Sequence, residues 1–338
     1  MDSPAPVRLA IVGAGIYARD AHMPAFKALG ETFEVAAIYS RTQASAAALA
    51  QGLPGRVDLY TDLDTLLARD DIEAVDIVLP IDVMPPVVEK ALQSGKHVIS
   101  EKPIAPDVAT ARRLMQARRE QVWMVAENWR YEEAFMQADH LLQQEGAVGE
   151  PLLCHWPLAV PITPDNKYYA TPWRRSGGFP GGLLLDTGVH HVAVLRMLLG
   201  QIREVTAVTA QIRPDLLPAD TLSATLRFES GLIGSYIATY AAAAPWPPAL
   251  HILGSRGGLR VHRGELQVTA DGVSRSIPVT AGKGVENELA QFAAAIRTGQ
   301  SHRNTPENAF FDLAVIEAML RAAETGRAVQ PEHVEPLR

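Results

Sequence analysis

Three short segments carry residues that could do chemistry. Gly13-Ala14-Gly15-Ile16-Tyr17-Ala18 follows the apolar run Val7–Val12 and leads into a helical pattern. In that setting a Gly-x-Gly-x-x-Gly/Ala turn can hold a dinucleotide pyrophosphate. Gly13 permits the tight turn, Gly15 lets the backbone approach the phosphates, and the helix N-terminus faces their charge. Ala18 stands for the third glycine and still allows close helix-to-strand packing. Glu101-Lys102-Pro103 follows the run from His97 to Ser100, at the carboxyl edge of a sheet, where open α/β sheets bind ligands. A lysine there can hold a hydroxyl or alkoxide oxygen, although an isolated loop lysine otherwise reads as a surface residue. The third segment, Gly181 to His190, spaces Asp186 and His190 at i, i+4, on one face of a helix that has begun by Asp186. An imidazole, with an ordinary pKa near ~6.5, can take or give a hydroxyl proton. Asp186 can orient that ring, bind a substrate hydroxyl or relay the proton. The same pair also reads as a helix cap and a core histidine. His191 points about 100° away around the helix, so one of the two histidines faces a site. Phosphate cradle, cation and acid/base pair form the set that hydride transfer at a carbinol carbon requires.

The second βα turn bears on the choice of cofactor. An acid roughly 20 residues after the glycines would bind a ribose 2′-hydroxyl. Here the chain reads Tyr39-Ser40-Arg41-Thr42, with no acid. Ser40 and Arg41 suit a 2′-phosphate, because a guanidinium forks phosphate oxygens, and this favours NADP over NAD. Arg41 can also stack on adenine without selecting either cofactor.

These groups need elements to carry them. Strand and helix alternate to residue 125: strands at Val7–Val12, Phe33–Tyr39, Val57–Tyr60, Val75–Leu79, His97–Ser100 and Val122–Val125, with helices between, the first from about Gly15 to Leu29. That alternation predicts a doubly wound parallel sheet with right-handed crossovers. A helix at Tyr131–Gln144 follows. After Pro151 period-2 patterns dominate, including Val205–Ile212, Thr221–Glu229, Leu232–Tyr240 and Glu265–Thr269, separated by turns such as Ser230-Gly231 and Asp271-Gly272. They predict a mainly antiparallel sheet, interrupted by a helix at Asp186–Leu199 and closed by helices at Val285–Thr298 and Pro306–Thr325. The expected division is a dinucleotide-binding domain at 1–125 and a substrate-binding and oligomerisation domain at 126–338, with the 306–325 helix packing back on the first.

Composition bounds the function. The 338 residues exceed one comfortable core. The formal charge of −7 argues against a nucleic-acid surface. A single cysteine, Cys154, excludes an internal disulfide and a thiolate metal cluster and fits a reducing cytoplasm. Met1–Pro6 shows no leader pattern, and no apolar run approaches the ~20 residues of a membrane span. His190 and His191 are adjacent and no His-Glu-x-x-His occurs, so no metal is expected. Nor is there a Gly-x-Ser-x-Gly elbow.

Together the glycine turn, Glu101-Lys102-Pro103, the Trp173-Arg174 pair, Gly181-Gly182-x-x-x-Asp186-x-Gly188-x-His190 and the ending Thr325-Gly326-Arg327-Ala328-Val329 resemble the glucose-fructose oxidoreductase / inositol dehydrogenase / MocA (Gfo/Idh/MocA) family over nearly the whole chain. The resemblance implies an N-terminal Rossmann domain and a C-terminal α/β domain whose open sheet carries substrate contacts and an oligomer interface. It implies nicotinamide-dependent oxidoreduction of a sugar, polyol or cyclitol, with Lys102, Asp186 and His190 carrying the chemistry. Gly13, Gly15, Ile16, Tyr17, Ser40, Arg41, Leu79, Pro80, Glu101 and Lys102 are then the expected cofactor contacts, and Lys102-Pro103 is expected to be cis. Trp173 could offer an apolar platform for a sugar, and Arg174 or Arg130 could bind a hydroxyl or carboxylate; core packing and ion pairing are the competing roles. Departures from the family pattern are Leu79-Pro80-Ile81-Asp82-Val83-Met84, where many relatives have Thr-Pro followed by Asn and His, and Ala193 in place of an aspartate. Residues 126–131 and 166–174 also resemble a branch containing fungal transcriptional regulators of the Gal80 type, so a non-catalytic dinucleotide sensor is the alternative.

Overall fold

The computed structural model describes residues 5–246 and 248–334; the outer limits of the two expected domains, and most of the segment read for a leader, lie outside them. The first half alternates β1 (Val7–Val12), α1 (Met23–Ala28), β2 (Phe33–Tyr39), α2 (Gln43–Ala50), β3 (Asp58–Tyr60), α3 (Leu63–Leu67), β4 (Ala74–Ile77), α4 (Met84–Gln93), β5 (His97–Glu101), α5 (Val108–Ala117) and β6 (Trp123–Ala126). Then come α6 (Glu133–Gln143), β7 (Pro151–Ala159), α7 (Leu183–Leu199), β8 (Ile202–Ala210), β9 (Thr221–Phe228) and β10 (Ile233–Thr239). The chain continues through β11 (Leu250–Gly254), β12 (Gly257–His262), β13 (Glu265–Ala270), β14 (Val273–Ile277), α8 (Gly284–Thr298) and α9 (Pro306–Thr325).

Strands β1 to β6 form one parallel sheet in the order β3-β2-β1-β4-β5-β6. The order reverses between β1 and β4, the switch point at which such sheets open a ligand crevice. The central strands β1 and β4 are buried apart from the half-buried Arg8, as a sheet covered on both faces requires. Asp76 breaks the apolar run of β4, fully buried, and so needs a partner.

The second sheet has eight strands in the order β14-β13-β12-β11-β7-β10-β9-β8. It is antiparallel except where β10 runs parallel to β7. Burial alternates along β9 and β10, so one face is covered and the other carries exposed Leu153, Ile233 and Leu253.

The structure divides into two compact units. The first holds residues up to Ala105, Ala109–Asn128 and Gly284–Pro306; the second holds Pro106–Val108, Trp129–Lys283 and the chain from Glu307 onward. The break near 128 lies close to the one expected at 125. Segment 284–306, expected in the second domain, belongs to the first unit, because Leu289, Phe292 and Ala293 of α8 pack into the core with Phe26, Phe33 and Ile99. Conversely, α9 belongs to the second unit.

Candidate active site

In the first unit the sequence after β1 turns at Gly13, whose φ of 119° suits glycine. A Cβ there would lie 2.2 Å from the Val78 carbonyl oxygen, so the turn packs against the end of β4. A Cβ on Gly15 would meet nothing within 4 Å, which leaves that side open to a close-approaching ligand. Ile16 and Tyr17 begin the helix and are half-buried, and the Arg19 amide donates to the Gly15 carbonyl at 3.1 Å. These features fit a pyrophosphate at a helix N-terminus. The helix differs from the expected continuous α-helix in one respect: Ala18–His22 is a π-turn, one residue wider than an α-turn, before α1 begins. Ser40 is half-buried after β2, and Arg41 is exposed just before Thr42, whose side chain caps α2. Leu79 and Pro80 are half-buried directly after β4.

Lys102 follows β5, half-buried, and its peptide to Pro103 is cis. Glu101 turns inward: it is 9% exposed and its Oε1 lies 3.0 Å from His22 Nε2. His22 Nδ1 lies 2.8 Å from Asp76 Oδ2 on its other side. Burial opposes a charge on His22, but Asp76 and Glu101 together outweigh it and hold the imidazole well above its ordinary range. Sequence reasoning missed His22. Asp76, a lone acid in a buried strand, was the readable signal that a partner existed.

In the second unit Gly182 starts α7. Its φ is 50°, and a Cβ would lie 2.3 Å from the Leu217 carbonyl oxygen. The helix begins one turn earlier than expected, which places Asp186 in its first turn and His190 one turn on. Asp186 is 3% exposed and accepts a 3.0 Å bond from Arg174 Nε. Arg174 Nη1 donates to Thr171 Oγ1 at 3.1 Å, and its guanidinium lies 4.0 Å above the Trp173 ring and 4.9 Å from Tyr168. Trp173 is half-buried against Phe179. The carboxylate is therefore held by a cation that is itself held by two rings.

His190 is half-buried and stacked on Trp129. His191 is buried, in a T-shaped contact with Trp129 and Trp156, and shares a 2.7 Å hydrogen bond with the Tyr236 hydroxyl. The two histidines diverge as helix geometry requires, with His190 the more accessible. Thr187 hydrogen-bonds Tyr240, whose hydroxyl is pushed up by burial; Thr187 opposes that shift and the charge of Asp186 adds to it. Trp129 was visible only as part of the 126–131 segment, with no role attached, and Tyr240 only as the end of a strand.

Arg130, expected as a substrate contact, takes the competing role. It is 3% exposed and donates to both carboxylate oxygens of Asp312, at 2.9 and 2.7 Å. Among the described residues no group of three or more His, Cys, Asp or Glu could hold a metal ion, and no helix is long and apolar enough to cross a membrane.

Two family models match the chain. One, described as an oxidoreductase family with an NAD-binding Rossmann fold (GFO_IDH_MocA), covers residues 7–128; the GFO/IDH/MocA C-terminal domain model covers residues 135–260. Dehydrogenase FPY6 of Fusarium mangiferae is 34% identical over 94% of this chain and 96% of its own. The dTDP-3,4-didehydro-2,6-dideoxy-alpha-D-glucose 3-reductase of Streptomyces violaceoruber is 30% identical over 96% of this chain and 94% of its own. The crystal structure of an oxidoreductase from Thermotoga maritima superposes with a TM-score of 0.89 at 34% identity, covering 96% of this chain and 98% of that one.

Proposed function

The chain belongs to the Gfo/Idh/MocA oxidoreductase family, and we propose that it interconverts a carbinol and a carbonyl on a sugar, polyol or cyclitol-like substrate, with Lys102, Asp186 and His190 as its reacting groups. It is a nicotinamide-dependent oxidoreductase. The observation that carries the assignment of groups is the division of burial along α7: Asp186 is buried and held by Arg174, whereas His190, one turn on, stays half-buried with its ring flat against Trp129.

When bound, the nicotinamide ring supplies or accepts the hydride. Gly13, Gly15, Ile16 and Tyr17 hold the pyrophosphate, with Leu79 and Pro80 beside them. Ser40 and Arg41 hold the adenosine end, with Arg41 favouring a 2′-phosphate and so NADP over NAD. Lys102 holds the substrate oxygen and stabilises negative charge as it develops there. His190 takes the hydroxyl proton in oxidation and returns it in reduction. Asp186, oriented by Arg174, binds a neighbouring hydroxyl or orients the imidazole. Trp173 offers a flat apolar surface to a sugar ring, and Arg174 binds a substrate hydroxyl or carboxylate. The reductase that resembles this chain acts on a nucleotide-linked deoxysugar, which supports a sugar-like substrate. Relatives named as a dehydrogenase and a reductase favour this reading over a non-catalytic regulator. Copies of the chain associate through the second sheet, where Leu153, Ile233 and Leu253 are exposed.

A panel of aldoses, ketoses and cyclitols assayed with NADPH and NADH tests this. His190→Ala is expected to lower kcat by ~10²–10⁴, and Lys102→Ala to lose turnover while the protein still binds nucleotide. Full turnover in both variants would overturn the assignment.

A further inference from the structure

The first unit contains a buried polar assembly that this chemistry leaves unused. His22, fully buried in the π-turn, bridges Asp76 of β4 at 2.8 Å and Glu101 of β5 at 3.0 Å. Ionised carboxylates only accept hydrogen bonds, so with both acids charged each ring nitrogen donates and the ring is an imidazolium. Its other neighbours are the Tyr17 ring, edge-on at 5.4 Å, and the Phe26 ring at 6.5 Å. Glu288 of α8 and Glu127 after β6 add further buried carboxyls to the surroundings, and Asn304 donates to Glu288 at 3.2 Å. Burial and the neighbouring acids push the Glu288 carboxyl up against the opposing effect of His22.

The position of Glu101 gives this assembly a direction. It is the last residue of β5 and precedes Lys102. Lys102 is the first residue beyond the strand, so its backbone is anchored on one side by the Glu101 that His22 holds. The π-turn adds one residue to the helix between the phosphate cradle and His22, and so rotates His22 relative to where an uninterrupted α-helix would carry it.

We propose that His22 is a positioning residue for Lys102: by holding Glu101 inward through its Nε2, it fixes the end of β5 from which the lysine projects. This rests on the reading of Lys102 as the substrate-oxygen ligand, but the geometry can be tested without turnover.

The test uses full-length wild type, His22→Gln, Glu101→Gln and the double variant. The lysines are labelled with trace acetic anhydride at pH 8 and read by mass spectrometry, with exposed Lys27 and Lys90 as internal references. The expected result is an at least threefold change in the relative labelling rate of Lys102 in His22→Gln, with Lys27 and Lys90 unchanged. On the best substrate from the sugar panel, kcat falls at least tenfold, while KM and the NADPH dissociation constant stay within threefold. Because the two residues act through one contact, the double variant loses no more than the worse single variant. If His22→Gln does not fold, Glu101→Gln, which keeps an acceptor but removes the charge, provides the same labelling comparison. Unchanged Lys102 labelling in a folded variant would overturn the proposal, as would fully additive losses in the double variant. If the wild type turns over no sugar yet Lys102 labelling still shifts, the positioning claim stands and the oxidoreductase assignment of Lys102 fails.

Discussion

The Trp129 ring lies nearly parallel to that of His190, with centroids 5.3 Å apart and an interplanar angle of 12°. The same indole stacks on Phe135 at 5.7 Å, and the Arg263 guanidinium lies 5.5 Å from its centroid. The imidazole is thus held in plane by a ring that is itself fixed. A general acid/base works only where its nitrogen is aimed at the reacting oxygen, and small misplacements cost much of the rate. Trp129→Leu should therefore lower kcat by about tenfold or more with little change in KM, and Trp129→Phe should recover most of the loss. Steady-state kinetics on both variants check this; equal kcat in wild type and Trp129→Leu would remove the indole from any role in aiming His190.

Arg41 stands exposed between β2 and α2, beside the half-buried Ser40. If its guanidinium forks a 2′-phosphate, Arg41→Ala should weaken NADPH binding by about tenfold, the worth of one charged hydrogen bond, and leave NADH binding nearly unchanged. Fluorescence titration of both nucleotides decides it. Equal losses would mean that Arg41 stacks on adenine and selects neither cofactor.

Asp312 accepts from Arg130 at two oxygens and from Arg196 Nη1 at 2.5 Å, and all three residues are buried. Removing the carboxylate takes away the buried acceptor that both guanidinium groups share. Asp312→Ala should lower stability by ~3–5 kcal/mol, read as a shift of the denaturant midpoint, well before it affects nucleotide binding.

Arg297 of α8 forks Glu73 at 2.6 and 2.8 Å and also donates to the carbonyls of Ala5 and Pro6. The Arg297 hydrogen bond, opposed by burial and aided by the Arg8 amide, holds the Glu73 carboxyl below its ordinary range. A carboxyl lowered in the folded state stabilises the fold fully above its unfolded value, near ~4.3, and loses that contribution as pH falls through the folded value. Glu73→Gln should therefore melt below wild type at pH 7, and the difference should shrink as pH drops below about 4. A gap that stays constant across this range would show that the ion pair contributes nothing through protonation.

Much of the fold was legible because its signals are short-range. Gly13 and Gly182 mark places where the backbone takes a positive φ and nearly touches another segment, and no other residue type would fit. The alternation to residue 125 leads to a parallel sheet because apolar runs buried on both faces need helices as connections. Asp186 and His190 were legible as a pair because i, i+4 spacing is a property of one helix.

Side-chain partners were not legible. Arg130 could equally have bound a ligand or an acid, and its acid lies 182 positions along the chain. Glu101 read as a cofactor contact from its neighbours in the motif, yet its carboxylate lies on His22, 79 positions away. Helix α8 follows fourteen strands and still rejoins the first unit, because its apolar face fits the core around Phe26 and Phe33.

The sequence by itself determined the two kinds of sheet, the glycine turn and the residue types available for proton transfer, since these depend on periodicity and backbone freedom within a few residues. Only the tertiary structure decided which charges are consumed in holding the protein together and which are left for chemistry. That choice depends on where distant elements cross, and on the rule that a buried charge must find its counterpart there.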